Sequence, residues 1–156
     1  MSAPFQKVLC AIDFAANTAM TIEMARLVAE STRGNVILFH AVPMPVEAMG
    51  QPLMVEPLTG AEEDARRALE RLAVENHLPS YEIRVVTGDP AASIIETARE
   101  DGADLIVMAT HGRTGLSHLI LGSVAERVIR ESTTPVMTVR TPHRKHRFLS
   151  ESVLLG

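Results

Sequence analysis

Apolar residues in this chain fall in short unbroken runs separated by longer helical stripes, and that alternation restricts the fold more than any other feature. Val8 to Ile12, Val36 to Phe39 and Leu105 to Ala109 are continuous, and Val136 to Val139 is interrupted only by Thr138. A strand covered on both faces needs apolar side chains on both, so such runs suit the inner strands of a parallel sheet. Tyr81-Glu82-Ile83-Arg84-Val85 alternates instead, which suits a strand with one wetter face at a sheet edge.

Helical patterns fill the gaps. Met20, Met24, Leu27 and Val28 form one stripe, with Gly34 placed for a left-handed C-terminal cap. Ala65, Ala68, Leu69, Leu72 and Ala73 form a second, opened by Thr59 and Glu62 at capping-box spacing. Asp89-Pro90 starts a third helix, with Ala91, Ile94, Ile95 and Ala98 as its buried face. Ser123 and Glu126 start a fourth, followed by Val124, Val128 and Ile129. The order β-α-β-α-β-α-β-α-β predicts an α/β fold: a doubly wound, five-stranded parallel sheet with helices on both faces. In such sheets ligands bind beyond the carboxyl ends of the strands, where the strand order reverses.

The 156 residues suit one domain, and 46% hydrophobic content is enough to bury one substantial core. A formal net charge of -4 gives no global attraction for nucleic acid or anionic membrane, so a small ligand or a protein partner is expected instead. The single Cys10, inside the first apolar run, reads as a packed core thiol. Met1 to Lys7 lacks the pattern of a signal peptide and no apolar stretch approaches ~18 residues, which predicts a cytoplasmic location without membrane insertion. Two segments stand outside the repeat. Pro43 to Pro57, with four prolines and three methionines, reads as a long excursion that either covers a ligand or packs as an irregular loop. Residues 141–156 form a basic and then apolar tail after a domain spanning 1–140, to be docked on a partner or disordered.

Chemistry is concentrated between the fourth strand and the fourth helix, from Met108 to Ser123. Small residues at Ala109, Gly112 and Gly122 allow close backbone approach, and the helix start offers unpaired amides and a positive dipole end, so a phosphate fits there. Ser123 has two readings, a hydroxyl donor to that phosphate or a helix cap paired with Glu126. Arg113, His111 and His118 are either phosphate contacts or solvated loop side chains, with His118 read as solvated. Asp13, ending the first strand, is either a ligand acceptor or the first acceptor of the turn into the helix. His40 on the second strand reads as a neutral imidazole satisfied by backbone.

The segment resembles the universal stress proteins of the nucleotide-binding kind, whose motif is Gly-x2-Gly-x9-Gly-Ser/Thr. Here Ala109-Thr110-His111-Gly112, nine residues, then Gly122-Ser123 keep the spacing, with alanine in place of the first glycine. Ala11-Ile12-Asp13-Phe14, Leu38 to Val42 and Thr134 to Val139 are similar to the family's first, second and last strands, so the likeness runs from residue 6 to 140. It implies a Rossmann-like sheet of order 3-2-1-4-5 and a regulatory module of the stress response that binds ATP or another adenine nucleotide, with magnesium arriving on the phosphates. Ile12 and Asp13 would then meet the adenosine end and Ala41 would flank the adenine. Met108, Ala109 and Gly112, with Arg113, would line the ribose and phosphate path, and Gly122, Ser123 and Val124 would hold the phosphates. It also implies a homodimer paired along residues 135–139 and a protein partner that the sequence does not name.

No P-loop lysine, clustered Cys/His set or Gly-x-Ser-x-Gly turn occurs, so slow hydrolysis of bound nucleotide is the most that is expected of it as an enzyme. The competing reading is a dimeric interaction module of the same family that works without nucleotide, which the alanine at 109 favours. An adenylyl transferase lacks its signatures here.

Overall fold

The computed structural model describes residues 4–44, 59–110 and 121–140. Along the chain run β1 (Lys7–Ala11), α1 (Thr18–Thr32), β2 (Asn35–Val42), α2 (Thr59–Glu75), β3 (Tyr81–Thr87), α3 (Pro90–Glu100), β4 (Leu105–Ala109), α4 (Ser123–Glu131) and β5 (Val136–Val139). All strand pairs are parallel and the sheet order is β3-β2-β1-β4-β5, the 3-2-1-4-5 arrangement expected. β1 sits centrally, with Val8 opposite both Val36 and Leu105, and its Val8, Leu9 and Cys10 are fully buried. β3 is an edge strand, as its alternation predicted.

Two cores lie on opposite faces of the sheet. Val8, Cys10, Val36, Leu38 and Val107 meet Ile22, Ala25 and Ala29 of α1 and Leu69 and Ala73 of α2 on one face. Leu9, Phe39, Ile106 and Met108 meet Ala91, Ile94 and Ala98 of α3 and Ala125 and Val128 of α4 on the other. The unbroken apolar runs follow directly: odd and even positions of each inner strand face different cores. Burial pushes the Cys10 thiol far above the ordinary thiol range, consistent with a packing role.

Helix faces were the less legible part. α1 buries Thr21, Ile22, Ala25 and Ala29, while Met20 and Leu27 from the expected stripe are 37% and 46% exposed. Met24 and Val28 of that stripe do pack, partly buried, against the core, and the most deeply buried positions are those with small alanines, which let the helix axis come close. On α4 the buried residues are Ala125 and Val128, with Ile129 turned outward. α3 matches its pattern: Asp89 caps it by accepting from the Ala92 amide at 2.9 Å, and Pro90 occupies the first turn. Such a cap contributes about 1 kcal/mol. Glu62 of α2 accepts from the Thr87 hydroxyl at the end of β3, so this carboxylate ties helix to strand.

The left-handed residue closing α1 is Arg33, with φ 57° and ψ 36°, not Gly34. Gly34 has a different task. A β-carbon there would lie 2.5 Å from the Gln6 carbonyl oxygen, the same oxygen that accepts from the Asn35 amide at 2.7 Å and starts the β1–β2 ladder. Opposite the crevice side, Arg84 on β3 holds Asp101 after α3 through two nitrogens at 2.7 and 3.1 Å, which keeps the Asp101 carboxyl below its usual range.

Candidate functional site

β1 and β4 are neighbours whose connections depart in opposite directions, β1 through α1 on one face and β4 through α4 on the other. Beyond their carboxyl ends the chain separates and leaves a cavity of about 320 Å³. This is where a doubly wound sheet holds ligands. Its walls come from four places: Ala11, Ile12 and Asp13 at the end of β1; Phe39, His40, Ala41 and Pro43 along β2 and its exit; Pro90 and Ile94 on α3; and Met108 to Thr110 with Gly122 to Ala125 at the end of β4 and the start of α4. Of the residues expected from sequence, Ile12, Asp13, Ala41, Met108, Ala109, Gly122, Ser123 and Val124 are brought together here. Gly112 and Arg113 lie outside the described residues, as do His111 and His118, the excursion beyond Met44 and the tail from residue 141.

The two helices that open onto the cavity differ in what their N-termini offer. At α3 the first turn is capped: Asp89 takes the Ala92 and Ser93 amides through its side chain and carbonyl, Pro90 has no N–H, and Arg127 donates to the Asp89 carboxylate at 2.7 Å. At α4 the first internal bond runs from the Glu126 amide to the Gly122 carbonyl at 2.9 Å. The amides of Ser123, Val124 and Ala125 therefore precede any helical partner, and the cap residue Gly122 has no side chain to serve them. The α4 terminus is the one built to receive an anion.

Ser123 is the first helical residue of α4 and not its cap, which moves the cap to Gly122, and Ser123 lines the cavity. The Gly122 amide itself donates to the Thr110 carbonyl at 2.6 Å, so Gly122 closes the join between β4 and α4 while its neighbours present the amides. Gly122 has φ −74°, a value open to any residue. Ala109 likewise has no positive φ, so alanine fits the backbone and its methyl group simply lines the cavity.

Asp13 plays the turn role and still faces the cavity. One carboxylate oxygen accepts from the Ala15 amide at 2.9 Å, and the residue lines the cavity. His40 Nδ1–H donates to the Ile12 carbonyl at 2.7 Å, the backbone satisfaction expected of it. Apolar Phe39, Ala41, Ile94 and Met108 make the inner wall suited to a flat aromatic ring, with Thr110, 7% exposed, beside the anion end. Sequence reading missed Ala11, Phe39, His40, Pro43, Pro90, Ile94, Thr110 and Ala125 as wall residues. Thr110 and Ala125 adjoin motif residues and were findable by adjacency, but Pro90 and Ile94 reach the cavity only because α3 lies over the β1–β4 crevice.

Comparison with known proteins agrees with this geometry, for the sequence model of the Universal stress protein family matches residues 4–140. The chain belongs to the universal stress protein family. Universal stress protein MJ0531 of Methanocaldococcus jannaschii is 38% identical over 104 residues, 67% of this chain and 60% of that protein, so the likeness spans only part of that relative's length. Among solved structures, MJ0577 of the same organism aligns with a TM-score of 0.76 at 26% identity, covering 90% of this chain and 99% of that one. A universal stress protein in complex with cAMP aligns at 0.66 and 24% identity, covering 88% of this chain and 98% of that one, and its likeness is one of fold. Among the described residues of this family member no helix is long and apolar enough to cross a membrane.

Proposed function

We propose that this universal stress protein binds an adenine nucleotide in the β1–β4 crevice and acts as a regulatory module whose ligand alters a surface read by a partner. The observation that carries the reading is the contrast between the two helix ends. α3 is capped and α4 is open, and the open end adjoins an apolar slot of base-accommodating size. A relative of the same fold crystallised with cAMP supports an adenine ring and a phosphate as the pair of groups that fit. In this reading the base lies between Ala41, Ile94 and Met108 near Asp13, and the phosphates meet Ser123, Val124 and Ala125, with Gly112 and Arg113 of the adjoining segment completing the cradle.

Binding, in place of rapid turnover, follows from what lines the wall. Phosphoryl transfer needs a placed cation and a means of orienting the nucleophile, and the described lining offers one carboxylate, Asp13. Magnesium would travel with the phosphates, since no group of three His, Cys, Asp or Glu among the described residues is placed to hold it. Titration calorimetry with ATP, ADP and AMP should show about micromolar binding by at least one, with a raised thermal midpoint at saturation. If none gives heat or a shift, the binding claim fails and the nucleotide-independent module is the better reading.

A homodimer along β5 completes the proposal. β5 is the free edge opposite β3, and the ladder with β4 uses Pro135 and Val139 as acceptors for Ile106 and Thr110, which turns the Thr138 amide outward. Val139 faces this chain's own core at 6% exposure, so a charge placed there would report on folding before pairing. Thr138→Pro removes the outward N–H while sparing the β4 ladder. Light scattering should show a dimer at tens of micromolar for the natural chain and a folded monomer for the variant. A monomeric natural chain or a dimeric variant would count against the interface.

A further inference from the structure

Four described residues other than glycine have positive φ: Phe5, Phe14, Arg33 and His77. Arg33 and His77 follow the ends of α1 and α2, where a left-handed residue is the ordinary way to stop a helix. Phe14 is different. It lies between β1 and α1 with φ 57°, away from any helix end, and like Phe5 (φ 61°) just before β1 it holds a bulky side chain against its backbone preference. Such outliers persist only where surrounding contacts over-determine them.

Those contacts are visible, and they converge on His40. Its Nδ1–H donates to the Ile12 carbonyl at 2.7 Å, and its ring lies 4.6 Å from the Phe14 ring at an interplanar angle of 54°. His40 thus grips the residues on both sides of Asp13. Ile12 is pinned again by its own amide, which donates to the Phe39 carbonyl at 2.8 Å. Asp13, between the two held residues, curls back to accept the Ala15 amide at 2.9 Å. Phe14 does not reach the nucleotide crevice: its other side faces a separate cavity of about 290 Å³ against Ala68 and Leu72 of α2.

We propose that Phe14 is a positioning residue for the ligand contact of Asp13, its left-handed turn held closed by the His40 ring so that the carboxylate is aimed into the crevice before ligand arrives. The proposal rests on the nucleotide reading for its ligand, but the turn exists without it. Pre-aiming removes ordering that binding would otherwise have to supply.

Phe14→Ala keeps a β-carbon in the left-handed position and removes the ring that restrains it. In the free protein, exchange of the Ala15 amide should become at least about tenfold faster, because the Asp13 acceptor is no longer held over it. Affinity for ATP or AMP, whichever binds the natural chain, should fall about tenfold. In an Asp13→Ala background the same substitution should change affinity less than about twofold, since the group it positions is gone. Phe14→Tyr retains the ring and should restore both readouts, which separates positioning from loss of fold. Equal losses with and without Asp13, or a folded Phe14→Ala protein with natural affinity, would overturn the proposal. If the natural chain binds neither nucleotide, the binding reading fails on its own; an unchanged Ala15 exchange rate in Phe14→Ala would then overturn the turn mechanism independently.

Discussion

Gly122→Val should lower adenine-nucleotide affinity roughly 100-fold, about 2.8 kcal/mol, while moving the thermal midpoint by only a few degrees. The backbone at Gly122 is extended and compatible with any side chain, and its amide already serves the Thr110 carbonyl, so valine leaves the β4–α4 join intact. The cost falls on the ligand. An isopropyl group at the helix cap stands where a phosphate must pass to reach the Ser123, Val124 and Ala125 amides, and an anion held away from those amides loses most of their attraction. Calorimetry with circular dichroism checks both halves. Natural affinity in a folded Gly122→Val protein would mean that the phosphates lie elsewhere, and Gly122→Ala should fall between the two.

Gly34→Ala should be the most damaging small substitution for the fold, destabilising it by roughly 3 kcal/mol. The added β-carbon would meet the Gln6 carbonyl oxygen at 2.5 Å, with the Gln6 carbonyl and α-carbons at 2.9 Å, and all three are backbone. Nothing there can rotate away. Relief requires moving the strand entry, which breaks the Asn35-to-Gln6 bond and disturbs the Lys7–Asn35 register on the central strand. A thermal midpoint lower by roughly 6–10 °C is expected for a chain of this size. Arg33→Gly, one residue earlier, should be neutral or slightly stabilising, because there the left-handed φ of 57° strains the native side chain. Equal effects at both positions would show that conformational freedom, and not close approach, is what Gly34 provides.

The Gly34 case shows where sequence reading reached its limit. A glycine after a helical stripe predicts a left-handed cap, but Arg33 takes that role and the reason for Gly34 lies in Gln6, twenty-eight positions away in sequence and adjacent only across the β1–β2 pair. The same holds for α1. Two stripes of helical spacing were present, and the choice of Ile22, Ala25 and Ala29 over Met20 and Leu27 was made by how near the helix must approach the sheet. Ser123 shows a finer version: cap and first helical residue differ by one position, and local spacing to Glu126 suits either.

Sequence alone determined the parallel sheet, its edge strand β3, the family, and half of the described crevice wall. Continuous apolar runs admit few environments other than a strand covered twice. Tertiary structure alone decided that α3 overhangs the crevice and brings in Pro90 and Ile94, and that His40 grips Ile12 and Phe14 around Asp13. Each of these depends on elements distant in sequence meeting at set distances. Propensity and periodicity describe one element at a time, whereas the approach of one element to another follows from the packing of all of them together.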